Sequence, residues 1–86
     1  MVDSVRTIMW QRFEEQIRAA VVCLLSACPL QSCHVSAIAW HIAPVLVYEG
    51  QHRPVRSVRL LQMLDARPDL FAIHVEPDGA VVVRLA

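Results

Sequence analysis

The chain of 86 residues is predicted to form one α+β domain, spanning residues 1–86, in which three helices are followed by a two-stranded β-hairpin. Three observations carry this prediction. Apolar residues recur at helical spacing in three separate stretches. The third of these ends at Ala66-Arg67-Pro68, where proline cannot continue a helix. Two apolar runs then flank Pro77-Asp78-Gly79, in which glycine supplies the positive φ of a hairpin turn.

The first helix opens near Asp3 or Ser4, whose short side chains can accept from the free amides of the first turn. Phe13, Ile17, Val21 and Leu24 fall on one face and Arg6, Arg12, Glu14, Glu15 and Arg18 at other angles, so the helix is expected to be amphipathic up to about Ser26. Cys28-Pro29 stops it. Ser32 begins a second helical segment with Val35, Ile38, Ala39 and Ile42, ending near Pro44. Val45 to Tyr48 reads either as a further helical turn or as extended chain, and Glu49-Gly50-Gln51-His52 reads as a polar loop. Pro54 suits the first turn of a third helix, with Val58, Leu61 and Leu64 on its core face and Leu60 and Met63 alongside. Leu70 to Val75 and Ala80 to Leu85 are the two strands. This order is that of a winged helix, with the hairpin as its wing.

Composition narrows the function. The formal net charge is zero and only 19% of residues are charged, so any nucleic-acid contact must come from local clustering. All eight basic residues are arginines, which offer a planar fork of donors to phosphates and carboxylates. Cys23, Cys28 and Cys33 make an odd count and read as buried thiols in a reducing, intracellular compartment, cytoplasmic or nuclear. The uncharged stretch from Ala19 to Tyr48 holds two prolines together with glutamine, histidine and serine, too mixed for a membrane span. No carboxylate pair, glycine-rich phosphate loop or nucleophile elbow is present, so catalysis is not expected, and neither is a cofactor.

Arg56 and Arg59 lie one helical turn apart and Arg53 just before, so together they can hold a phosphate or an acidic side chain at the start of the third helix. An ordinary solvated face opposite Val58 and Leu61 is the alternative. The wing turn, Glu76-Pro77-Asp78-Gly79, carries two acids that repel phosphates, offset by Arg84 and by His74. Cys28, Cys33, His34 and His41 are zinc-ligand types without the paired short spacings that wrap a metal, so no metal is expected. Cys33 and His34, adjacent in sequence, point apart and do not form a nucleophile with its base. Trp10, Trp40 and Tyr48 either fill the core or, for Trp10 beside Met9 and for Trp40, form a protein interface.

The segment from Ile17 to Leu85 resembles a LOTUS domain, also called OST-HTH. The likeness rests on Ile17-Arg18-Ala19-Ala20-Val21 to Leu25 and on Leu60-Leu61-Gln62-Met63-Leu64 followed by Arg67-Pro68-Asp69-Leu70-Phe71 and the hairpin. Val55-Arg56-Ser57-Val58 stands where that family usually has a Gly-Phe step. The resemblance implies a noncatalytic module of RNA-regulating proteins. Some such domains bind RNA, with a liking for G-rich or quadruplex forms, and others recruit a DEAD-box RNA helicase through an additional C-terminal helix. That helix does not follow the second strand before Ala86, which disfavours the helicase-docking version.

Two functions follow as expectations. The first is binding of RNA or a ribonucleoprotein component, with Arg53, Arg56, Arg59 and Arg84 meeting phosphates. The second is protein interaction or homodimerisation through Met9, Trp10 and Trp40, the same arginines gripping an acidic partner.

Overall fold

A 26-residue helix, α1 (Val2–Ala27), forms the spine of the fold. The computed structural model describes residues 2–86. α1 is already helical at Val2, so Asp3 and Ser4 lie inside it and not at its cap. Its buried line is Phe13, Ile17, Val21 and Leu25, an unbroken run of i, i+4 steps, whereas Leu24 is only partly buried. The fourth core position is therefore Leu25, one residue beyond the expected Leu24. Cys28 adopts extended backbone ahead of Pro29, as a residue before proline prefers, and this ends the helix.

A turn of 3-10 helix (Pro29–Gln31) leads into β1 (Ser32–His34), and β1 passes straight into α2 (Val35–Ile42). The second helix thus begins at Val35, three residues later than expected, because Ser32 to His34 pair with the last strand of the chain. A second 3-10 turn (Ala43–Val45) precedes a small hairpin of β2 (Val47–Tyr48) and β3 (Gln51–His52). The expected polar loop is here a tight two-residue connection: Glu49 and Gly50 both have positive φ, 52° and 78°, the geometry of a type I′ turn.

The third helix, α3 (Ser57–Asp65), starts three residues after Pro54. Arg56 is its cap residue in extended backbone, and its carbonyl accepts the first helical bond from Leu60 N–H at 2.9 Å. Leu60, Met63 and Leu64 are buried, whereas Val58 is 70% exposed. The expected core face is thus rotated, and Val58 belongs to the outer surface.

β4 (Phe71–Val75) and β5 (Val81–Leu85) form the predicted hairpin in register Phe71↔Leu85 to Val75↔Val81. Its turn is closed by Gly79 N–H donating to Glu76 C=O and Glu76 N–H donating to Ala80 C=O, with Gly79 at φ 89°. The Asp78 carboxylate accepts from Ala80 N–H at 2.9 Å. With β1 the sheet has three antiparallel strands in order β1-β5-β4, so the last strand of the chain is the central one.

The architecture is α+β, three helices and a small antiparallel sheet, an order compatible with a winged helix. The core gathers the α1 line with Ile38 and Ile42 of α2, Leu46, the α3 residues, Phe71 and Val83. Among the described residues no helix is long and apolar enough to cross a membrane.

Candidate functional site

The small hairpin and the stretch leading into α3 fold back against α1. Tyr48 from β2 meets Phe13 and Trp10 of α1, with ring centroids 5.2 Å and 5.8 Å away, and Trp10 and Phe13 lie 5.5 Å apart. Edge-to-face and tilted packing of this kind suits rings whose faces are negative and edges positive. Phe13 is buried, so the cluster has a fixed base, while Trp10 and Tyr48 remain half-buried at its rim.

The arginines are set on this rim. The Arg53 guanidinium lies 5.0 Å from the Tyr48 ring and 5.5 Å from the Trp10 ring, and that of Arg59 lies 5.1 Å from Trp10. All three are cation–π distances. Arg53 is fixed from behind by its own N–H, which donates to Leu46 C=O at 3.2 Å. Arg56 joins them at the head of α3, and the three arginines with Trp10, Phe13 and Val55 line a concavity of about 320 Å³.

Among the described residues Arg53, Arg56 and Arg59 form no ion pair, whereas Arg18 pairs with Glu14 and Glu15, and Arg67 with Asp69. The hydrogen bond from Arg67 holds the Asp69 carboxyl below its usual value. Another concavity, of about 680 Å³, is lined by Arg12 together with Arg18 and Arg67, the latter two already paired with carboxylates. Arg53, Arg56 and Arg59 are all exposed, and two of them, Arg53 and Arg59, lie over the aromatic rings. Such a site can take phosphate oxygens or carboxylates.

The expected interface residues divide. Trp10 belongs to the arginine site. Met9 lines a neighbouring concavity with Arg12, Gln16, Val47 and Tyr48. Trp40 stands on the outer side of α2, 79% exposed, and shares no ring contact with Trp10, Phe13 or Tyr48. Arg84 is separate from the other three arginines: it sits on the central strand between Ser32 and Ala72 and lines a different cavity. Sequence reasoning missed the union of Trp10 and Tyr48 with Arg53 and Arg59. These residues lie up to about fifty positions apart and meet only through packing, and the sole local signal was that Trp10 stands off the Phe13-Ile17-Val21 line.

The cysteines also differ from expectation. None is buried: Cys23 is exposed, and Cys28 and Cys33 are intermediate, because α1 buries the Val21 and Leu25 positions and turns Cys23 outward. Partial burial and the neighbouring Cys28 push the Cys33 thiol above its ordinary value. Cys33 and His34 fall on opposite faces of β1, as successive strand residues must. Iodoacetamide at pH 8 is therefore expected to alkylate Cys23 well before Cys33. Timed mass spectrometry of the quenched protein checks this, and faster labelling of Cys33 would contradict the geometry.

No protein-family model matches the chain, and neither a curated protein nor a solved structure matches it.

Proposed function

We propose that the chain is a noncatalytic winged-helix module that binds RNA, or an RNA-bearing component of a ribonucleoprotein, through Arg53, Arg56 and Arg59. The observation that carries this reading is the cluster of three arginines that have no carboxylate partner among the described residues, two of them lying over the Trp10 and Tyr48 rings. An aromatic shelf reduces the freedom a guanidinium loses on binding, so its N–H fork is ready for successive phosphates. Flanking aromatic rims are also where unpaired bases stack. The acidic turn at Glu76 and Asp78 sets the wing apart from this role, so contact comes from α3 and the approach to it. The resemblance to LOTUS domains points the same way.

A second reading is supported by Trp40, a large aromatic left 79% exposed on α2: a protein-interaction or homodimer surface centred on that helix and separate from Met9 and Trp10. Solution mass measured together with an RNA-shift titration separates the two. RNA binding predicts a shift of single-stranded RNA at low salt that fades as salt rises. A chain that retains no RNA at low salt but elutes as a dimer, or pulls down one protein, overturns it in favour of the second.

A further inference from the structure

The strand register sorts the sheet into two faces. Ser32, Arg84 and Ala72 form one cross-strand row and His34, Val82 and His74 the next, and since the rows are two residues apart they share a face. The opposite face carries Val83 and Phe71 into the core. The outward face is thus lined by Arg84, His34 and His74, all exposed, over the smaller Ser32, Ala72 and Val82. Among the described residues no carboxylate belongs to these rows. The acids of the adjoining turn, Glu76 and Asp78, lie beyond the end of the ladder at Val75↔Val81.

A cavity of about 490 Å³ runs across this face, from Leu30 on the β1 side to Arg84, Ala72 and Ile73. Ala72, Ile73 and His74, three consecutive residues of β4, line it, so the cavity extends across the sheet as far as its β4 side. That edge is open, because β4 pairs only with β5. Glu76 N–H bonds Ala80 C=O and Ala86 N–H bonds Leu70 C=O, which fixes the parity of the ladder. Ala72 and His74 aim their backbone groups at β5, and Ile73 and Val75 aim theirs outward. The strand itself, Phe71-Ala72-Ile73-His74-Val75, has no proline, lysine, arginine or carboxylate of the kind that normally guards an edge.

We propose that this edge accepts an extended peptide of a partner protein as a fourth strand, alternating acidic and apolar side chains, with Arg84 gripping one of its carboxylates. A strand added beside β4 lies about 9.6 Å from β5. Arg84 can reach that far because its neighbour in the row is only Ala72, and the carboxylate side chain closes the rest of the gap. The alternation required of the peptide copies that of β4: acids on the side of Arg84 and His74, apolar residues beside Ile73 and Val75. The acids of the turn push the peptide's carboxylate toward the Ala72 row and away from the tip. A second copy of this chain is a poor occupant, since its own β4, Phe71-Ala72-Ile73-His74-Val75, supplies no carboxylate to meet Arg84.

The probe is a fluorescein-labelled octapeptide alternating aspartate and valine, with a lysine–valine octapeptide and an oligouridylate as comparisons, read by anisotropy and by amide hydrogen exchange. The aspartate–valine peptide is expected to bind and to slow exchange at Ile73 and Val75. Arg84→Glu weakens it by about tenfold. Val75→Pro abolishes it without removing a ladder bond, because the Val75 N–H points outward; circular dichroism verifies that both variants fold. Arg56→Glu with Arg59→Glu leaves peptide binding intact, which separates this edge from the arginine site at α3. The proposal is overturned if the lysine–valine peptide binds equally, if Arg84→Glu has no effect, or if the oligouridylate alone protects the β4 amides.

Discussion

Reversing two charges, Arg56→Glu with Arg59→Glu, is expected to abolish retention of single-stranded RNA while the domain stays folded. Both side chains are exposed, Arg56 precedes the first helical residue of α3, and Arg59 lies over the half-buried rim residue Trp10, so the double variant keeps every buried core residue. The wild-type site offers three cations, and neutralising about three phosphates of a single strand gives a salt slope near −2. Affinity should then fall about twentyfold between roughly 50 and 200 mM salt. In the double variant the remaining Arg53 faces two carboxylates and the net contribution turns repulsive, so loss should reach at least about a hundredfold at the lower salt. A titration of a labelled twelve-nucleotide RNA across salt measures both quantities. Undiminished binding by the double variant, or a flat salt response in the wild type, would exclude the α3 arginines as the contact.

The second large effect is on stability and contrasts two neighbouring leucines. Leu25 is fully buried at the end of the α1 line, whereas Leu24 is only partly so. Leu25→Ala removes a side chain and leaves a cavity, at about 2–5 kcal/mol. A domain of this size has a total stability of about 4–13 kcal/mol, so the variant loses a large share of it. A loss near 3 kcal/mol lowers the Tm by roughly 12–24 °C. Leu24→Ala should cost under about 1.5 kcal/mol, because most of its surface burial is incomplete already. Urea denaturation of the two variants side by side tests the assignment, and an equal or larger loss at Leu24 would refute it.

The two leucines also mark where the sequence stopped being legible. Helix spans and the hairpin were readable because long periodic runs end at punctuating residues, Cys28-Pro29, Ala66-Arg67-Pro68 and Asp78-Gly79. Which face of each helix is buried was less so. In Ser57 to Asp65 apolar residues occupy 58, 60, 61, 63 and 64, so two overlapping faces satisfy a helical period, and nine residues are too few to choose between them. The extended backbone at Arg56 sets the rotation, and propensity does not report it. β1 was invisible for another reason: Ser-Cys-His has no alternation, and it becomes a strand only because Val83 and its neighbours lie alongside. The arginines were legible as a group of three; the aromatic rings that hold two of them were not, since that contact is a product of tertiary packing.

The central place of β5 has a consequence for how the protein comes into being. Ser32 finds its partner at Arg84 and Phe71 finds its partner at Leu85, so both outer strands wait on residues 81–85. During synthesis the helices can form and loosely collapse as they emerge, but no part of the three-stranded sheet has a template until nearly all of the 86 residues have left the ribosome. Until that moment Val83, which fills the centre of the core, is missing, and the nascent chain holds an apolar interior open on one side.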